Sequence, residues 1–105
     1  MDLNLFKGNL DLIVLSVLER GGGYGLDITK RVNALTHGYF TLNAGSLYPA
    51  LHRLERAGFL GAQEETPARG GPPVRTYTLT AAGRAELERR RASYDTFDRA
   101  LRSLW

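Results

Sequence analysis

Cysteine is absent from this chain of 105 residues, and histidine occurs only twice, at His37 and His52. Without cysteine the protein can form neither a disulfide bond nor a thiolate metal site. No Ser–His–acid set, no pair of carboxylates and no metal-ligand spacing stands out in the sequence. We therefore expect that the protein is not an enzyme and that it uses no metal and no cofactor.

Long apolar runs are absent as well. The longest, Leu12–Leu15, is far shorter than the roughly 20 residues that a helix needs to cross a membrane. The N-terminus lacks the basic segment, apolar segment and cleavage site of a signal peptide. The length fits one domain that buries roughly 65% of the surface of its unfolded chain. The sequence thus predicts a soluble, cytoplasmic protein without a membrane partner.

Lysine is scarce, since only Lys7 and Lys30 are lysines and the other twelve of the fourteen basic residues are arginines. Residues 1–52 carry four basic and four acidic groups, whereas residues 53–105 carry ten and seven, which gives the net charge of +3. Arginine makes bidentate contacts with phosphate and guanine, so this bias favours a nucleic-acid partner. A GC-rich genome would encode the same bias without functional meaning, and both interpretations stay open.

Residues 43–57 are predicted to form a short helix with two different faces. Leu47, Leu51 and Leu54 recur at i, i+4 and i+7, which makes an apolar stripe for the core. Asn43 is suited to cap the first turn. The opposite face carries hydroxyl, imidazole and guanidinium groups that can meet phosphates and base edges, or form an ordinary solvated surface. Its members are Ser46, Tyr48, Pro49, His52, Arg53 and Arg56.

A β-hairpin is predicted directly after this helix, over residues 60–79. The run from residue 59 to 65 reads as a strand, residues 74–79 alternate cleanly, and the tip between them is rich in glycine and proline. A short basic helix followed by a basic hairpin is the arrangement of a winged-helix DNA-binding protein. We therefore expect a mainly α fold with a small β-hairpin, namely a winged helix-turn-helix followed by a long C-terminal dimerisation helix.

Two arginines flank the tip of the predicted hairpin. Arg69 could neutralise phosphate or enter a minor groove, although a plain solvated loop would also carry such a residue. Arg75 is similarly placed, with the alternative of an ion pair to Glu64 or Glu65 across the strands. The hairpin is thus a second candidate contact with DNA.

Two helices are predicted before the basic one, over residues 9–20 and 25–36, and a small strand is predicted over residues 39–42. The first helix is apolar on two sides, because Leu12 and Leu15 lie away from its main apolar face. Such a helix needs two partners. The second partner is either another subunit or a helix of the same chain.

The last predicted helix runs from about residue 81 to residue 104. Apolar side chains recur along it at the spacing of the a and d positions of a coiled coil. They are Leu87, Tyr94, Phe97, Leu101 and Leu104. Part of this stripe is expected to pack on its own domain, but the helix is longer than a small winged helix can cover. We therefore expect a homodimer.

Four segments resemble the PadR-type transcriptional regulators, and together they span nearly the whole chain. They are Gly8-Asn9-Leu10-Asp11-Leu12-Ile13-Val14-Leu15, then Tyr24-Gly25 with Ile28, then Gly45-Ser46-Leu47-Tyr48-Pro49-Ala50-Leu51-His52-Arg53-Leu54-Glu55 with Gly58, and finally Arg75, Tyr77, Leu79-Thr80 and Gly83. The Leu-Tyr-Pro-Ala-Leu core is the most specific of them. The length is similar to the short subgroup, in which one C-terminal helix replaces a larger dimerisation domain.

The resemblance implies a homodimeric winged-helix protein that usually represses transcription. It implies a DNA-binding domain over residues 1–80 and a dimerisation helix over residues 81–105. It puts Ser46, Tyr48, Pro49, His52 and Arg53 on the recognition helix, Tyr24 beside the DNA backbone, and Arg69, Gly70, Gly71 and Arg75 in the wing.

The expected partner is a pseudo-palindromic operator in double-stranded DNA, with one recognition helix in each of two major grooves. We further hypothesise that a small aromatic effector at the dimer interface releases the repressor, on the basis of the resemblance and of Tyr94, Phe97 and Trp105. The alternative is a winged helix that serves only protein–protein interaction, without specific DNA binding.

Overall fold

The computed structural model describes residues 1–105 and contains five helices and a two-stranded sheet. They follow the order α1 (Leu3–Gly8), α2 (Leu10–Glu19), α3 (Gly25–Leu35), α4 (Ala44–Arg56), β1 (Leu60–Glu65), β2 (Val74–Leu79) and α5 (Ala81–Arg102). The expectation of a mainly α fold with a small β-hairpin is therefore confirmed. None of the helices combines the length and the apolar character needed to span a bilayer.

The core is centred on α2, which packs against α3, α4, α5 and β2. Two leucines that the sequence analysis assigned to dimerisation belong to this core: Leu15 is 0% exposed and Leu87 is 1% exposed. That assignment was wrong for both, because helices of the same chain cover the second apolar side of α2 and the first turns of α5. Leu12 is only partly buried and packs against the edge of the core.

The segment between α3 and α4 is not the small strand predicted over residues 39–42. His37 and Gly38 adopt positive φ angles of 52° and 80°, which reverse the chain at the end of α3. The amide of Phe40 then donates to the Thr36 hydroxyl at 3.0 Å, and the Phe40 ring packs on Phe6 with ring centroids 5.8 Å apart. The segment is thus folded onto α1 and α3, where no strand is available to pair with it.

The wing is the antiparallel pair of β1 and β2, in which Leu60 lies opposite Leu79. The turn after α2 extends this sheet, because Gly23 and Tyr77 exchange two backbone hydrogen bonds of 3.0 and 2.9 Å. Tyr77 is buried in the core. The wing is therefore held by the core at its base, while its tip extends into solvent.

Helix α5 begins at the base of the wing and extends past the domain. Thr80 caps it by accepting a hydrogen bond from the Gly83 amide at 3.0 Å. The molecule measures 54 × 29 × 21 Å along its principal axes. Every side chain from residue 99 to residue 105 is exposed. The C-terminal half of α5 thus has few partners within the protomer.

Candidate nucleic-acid interface

The outer face of α4 exposes polar and basic side chains because its inner face is committed to the core. Asn43 caps the helix by accepting from the Ser46 amide at 3.0 Å, which confirms the predicted cap. The inner stripe consists of the buried side chains Leu47, Ala50, Leu51 and Leu54. The outer side chains Tyr48, Pro49, His52, Arg53 and Arg56 are exposed, and Ser46 is half-buried. Five of the six residues that the sequence put on this face are therefore open to a ligand.

Pro49 lies inside α4, in its second turn. It has no amide hydrogen to donate to the carbonyl of Gly45, so the helix continues there with one backbone hydrogen bond fewer.

Tyr48 packs against the first residue of α3. A Cβ atom on Gly25 would lie only 2.3 Å from the Tyr48 hydroxyl oxygen. Tyr24, next to Gly25, is the N-cap of α3, and its amide donates to the Asp27 carboxylate at 3.4 Å. The structure thus brings Tyr24 and Tyr48 to the same junction, where α3 begins against α4.

Arg53 is paired with a residue that the sequence analysis did not assign to the site. Its Nη2 donates to a carboxylate oxygen of Asp11, in the first turn of α2, at 2.5 Å. The side chain of Arg53 nevertheless remains 52% exposed. Arg56, one turn further along, makes no ion pair. The two arginines of α4 therefore differ: Arg53 is ion-paired with Asp11, whereas Arg56 has no acidic partner.

Arg75 connects the wing to α4. Its guanidinium donates to the Glu55 carboxylate at 2.6 Å and lies 5.9 Å from the centre of the Tyr77 ring. The hydrogen bond to Glu55 raises the pKa of Arg75, and burial raises the pKa of Tyr77. The alternative pairing with Glu64 or Glu65 was wrong: Glu64 lies directly opposite Arg75 in the sheet, but the Arg75 guanidinium pairs instead with Glu55 at the end of α4.

Arg69 and Gly70 lie at the exposed tip of the wing. The tip is closed by a turn in which the Gly70 amide donates to the Pro67 carbonyl at 2.9 Å. Gly70 and Gly71 have φ angles of 85° and 100°, which favour glycine. Arg69 makes no hydrogen bond or ion pair within the chain. The unpaired guanidinium of Arg69 thus lies beyond the end of the two-stranded sheet.

Three consecutive arginines in the first half of α5 are neutralised by acidic neighbours. Glu86 accepts hydrogen bonds from Arg89 and Arg90, and they lower the pKa of Glu86 to about 2. Arg91 donates to Glu19 at 2.6 Å and lowers the pKa of that carboxyl group. Arg89, Arg90 and Arg91 therefore form an ion-paired surface, as the interleaved charges indicate.

A second surface of the molecule is apolar. A groove of about 550 Å³ runs between α1, α2, α3 and the residue 39–40 segment, with Tyr94 of α5 at its rim. Next to it, a row of apolar side chains along α5 and just beyond its end is exposed, and Phe97 is 65% and Leu104 82% accessible. The row is completed by Tyr94, Leu101 and Trp105. The residues predicted for dimerisation thus separate into core residues and an exposed group.

Comparison with known proteins gives one consistent result. The model of the transcriptional regulator PadR-like family matches residues 14–89. Transcriptional regulator YqjI of Escherichia coli (strain K12) is 28% identical over 96 residues, which cover 91% of this chain and 44% of that protein. The chain therefore spans less than half the length of this curated relative.

Two solved structures extend the comparison. A PadR family transcriptional regulator from Eggerthella lenta superimposes with a TM-score of 0.83 at 28% identity, covering 97% of this chain and 86% of that one. PadR of Bacillus subtilis in complex with operator DNA superimposes with a TM-score of 0.67 at 26% identity, covering 75% of this chain and 44% of that one. The fold of the chain is that of a winged-helix regulator.

Proposed function

This chain belongs to the PadR-like family of transcriptional regulators, and from that premise we propose that it represses transcription as a homodimer bound to a pseudo-palindromic operator. The observation that carries the proposal is the outer face of α4. Its apolar stripe is buried, so its exposed hydroxyl, imidazole and guanidinium groups have no structural task in the core. The Bacillus subtilis relative, which is in complex with operator DNA, supports the same interpretation.

In this proposal α4 enters the major groove and the wing contacts the flanking backbone. Two such helices in a dimer read half-sites about 34 Å apart, one helical turn of DNA. Arg53 and His52 contact base edges or phosphates, and Tyr48 donates its hydroxyl to a phosphate. Arg69 neutralises phosphate at the wing tip. The complete set of proposed DNA-binding residues is Tyr24, Ser46, Tyr48, Pro49, His52, Arg53, Arg69, Gly70 and Arg75.

The proposed role of Arg75 is mainly to position the wing. Its ion pair with Glu55 joins β2 to the end of α4 at 2.6 Å, so a shift of α4 moves the wing with it. Its remaining donors are accessible to a phosphate, since nearly half of the side chain is exposed.

The proposed dimer forms through the exposed part of α5, so that residues 81–105 act as the dimerisation helix and residues 1–80 as the DNA-binding domain. Phe97 and Leu101 expose apolar surface on one side of α5, and Leu104 continues it just past the end of the helix; such a side is the seam of a coiled coil. The groove beside Leu12 and Tyr94 lies next to this row. A second copy would cover both surfaces at once.

A small aromatic effector is part of the same proposal. The groove volume of about 550 Å³ lies in the range of small-molecule sites. Tyr94 lines this groove, and Phe97 and Trp105 offer exposed aromatic surface further along the C-terminal part of the chain. An effector that binds there would release DNA only if it favours one arrangement of the two subunits over the other.

The test is DNA binding by a variant that keeps the dimer. Genomic fragments are titrated with the full chain at two salt concentrations, and specific binding is expected to weaken steeply as salt rises. The double variant Tyr48→Ala/Arg53→Ala is expected to lose at least roughly tenfold in affinity for the best fragment while light scattering still reports a dimer.

The matched control is Arg99→Ala, which removes an exposed arginine on α5 and is expected to leave the affinity within about twofold of the parent. Weak, salt-insensitive binding by the parent protein would favour the alternative function, a protein–protein interaction module. Equal losses in the control and in the double variant would contradict the assignment of α4.

A further inference from the structure

An ion-pair chain connects the outer face of α4 to α5 through Asp11. One carboxylate oxygen of Asp11 accepts from Arg53, and the other lies 3.7 Å from Nη1 of Arg90. Arg90 in turn donates to Glu86 at 2.6 Å. The Asp11 side chain is only 19% exposed, whereas that of Arg53 is 52% exposed. Arg90 thus fixes the Asp11 carboxylate on its α5 side, and Asp11 in turn holds the Arg53 guanidinium at the surface.

The pairing leaves Arg53 able to contact a ligand. A guanidinium has five N–H donors in a rigid plane, and a single Arg53 donor, Nη2, is engaged by Asp11. Orientation by a carboxylate reduces the side-chain entropy that Arg53 would lose on binding. The same carboxylate offsets the positive charge of Arg53, which weakens its attraction to phosphates in general.

We propose that Asp11 is a positioning residue for DNA recognition: it orients Arg53 toward one group of the operator and lowers the affinity for DNA of other sequences. The inference rests on the proposed function of α4 as the recognition helix. Arg56, on the same helix as Arg53, has no acidic partner that could orient it in this way. A surface ion pair that served only stability would contribute little and would leave sequence discrimination unchanged.

The experiment compares Asp11→Asn with the parent on two duplexes of equal length: the genomic fragment that the parent binds best and a scrambled version of it. We expect the variant to bind the scrambled duplex about fivefold more tightly and the genomic fragment with unchanged affinity, so that the ratio of the two dissociation constants falls about fivefold. In an Arg53→Ala background, Asp11→Asn is expected to leave that ratio unchanged.

Two further variants separate charge from geometry. Asp11→Glu keeps the charge but lengthens the side chain, and we expect it to weaken binding of the genomic fragment several-fold without strengthening that of the scrambled duplex. Glu88→Gln removes a carboxylate paired with Arg91 on α5 at 3.5 Å and is expected to change neither affinity. Circular dichroism melting verifies that each variant is folded. If Asp11→Asn does not fold, the affinities of Asp11→Glu for the two duplexes decide the inference.

The possible failures are distinguishable. If the parent does not discriminate between the duplexes, the proposed function fails. If it discriminates but Asp11→Asn tightens both duplexes equally, Asp11 acts through its charge alone, and the inference is overturned. Unchanged affinities for both duplexes overturn it as well.

Discussion

At the scale of single residues, the contact between Gly25 and Tyr48 joins the start of α3 to the outer face of α4. Any side chain at position 25 would meet the Tyr48 ring, because an added Cβ lies 2.3 Å from its hydroxyl oxygen and 2.7 Å from its Cζ. Beyond this contact, Tyr48 is an exposed side chain of the outer face. The position of Tyr48 therefore depends on the absence of a Cβ at residue 25.

Replacing Gly25 by alanine is predicted to reduce DNA affinity by about three- to tenfold with a small loss of stability, since the Tyr48 ring must leave its present position. Fluorescence titration and thermal melting measure the two effects. Gly8→Ala is the control, because nothing lies within 4 Å of its added Cβ. In a Tyr48→Ala background the Gly25 substitution should have no further effect on DNA affinity. An equal loss there would contradict the role of the contact.

The residues of the α4 face could be predicted from the sequence, but their ion-pair partners could not. Helical periodicity determines that Tyr48, His52 and Arg53 lie opposite the leucine stripe, because that depends only on local spacing. The partner of Arg53 is 42 residues away and that of Arg75 is 20 residues away. Such pairs arise from the packing of α2 and of the wing on α4, which no local pattern encodes.

At the scale of elements, periodicity predicted α3, α4, both strands and α5 to within two residues at each end. It failed for residues 39–42, where the Phe40 ring packs on Phe6 of α1 and the Phe40 amide bonds to the end of α3, so that the segment pairs with no strand. It also failed for Leu15 and Leu87, because an apolar stripe indicates burial without indicating the partner. The short α1 was missed, since six residues carry too little periodic signal.

The acidic and basic residues of α5 give this element a defined pH dependence. The folded-state pKa of Glu86 is about 2, below the ordinary value of 4.5, owing to the hydrogen bonds from Arg89 and Arg90. Its contribution to stability is therefore complete above about pH 4.5 and is lost as the pH falls toward 2. Water screens the pair with Arg89, whose side chain is 66% exposed.

Glu86→Gln is therefore predicted to lower the free energy of unfolding by about 1 kcal/mol at pH 7, and the difference from the parent should vanish as the pH approaches 2. Urea unfolding at several pH values and a fixed protein concentration measures this difference. Glu64→Gln, at an exposed residue of β1 without an ion pair, is the control. A difference that stays constant between pH 7 and pH 2.5 would contradict the assignment.

At the scale of the whole molecule, the two candidate surfaces lie on different parts of one elongated protein. The polar face belongs to α4 and the wing, whereas the apolar row belongs to the far half of α5. The ion pairs of Asp11 with Arg53 and Arg90 connect α4 to α5 through α2. A change in the arrangement of α5 would therefore reach the proposed DNA-binding face through charged contacts and through the shared core.

The last prediction concerns assembly. Phe97→Asp puts a charge at the centre of the exposed apolar row, and burying a charge without a partner in a helix–helix seam is costly. Each subunit of the proposed dimer loses one buried aromatic side chain worth about 2–3 kcal/mol, so the dimer dissociation constant is expected to rise by at least about 100-fold. Sedimentation over a range of concentrations should show a monomer, and affinity for the operator should fall in parallel because one subunit contacts only one half-site.

Ala92→Asp is the matched control for this prediction. Residue 92 is exposed on α5, five positions before Phe97 and outside the a and d spacing of the seam. The same charge placed there should leave both the dimer and the DNA affinity as they are in the parent. If Phe97→Asp remained dimeric at every concentration, the interface would lie elsewhere. If both variants became monomeric, the charge itself would be responsible, and the apolar row would lose its proposed role.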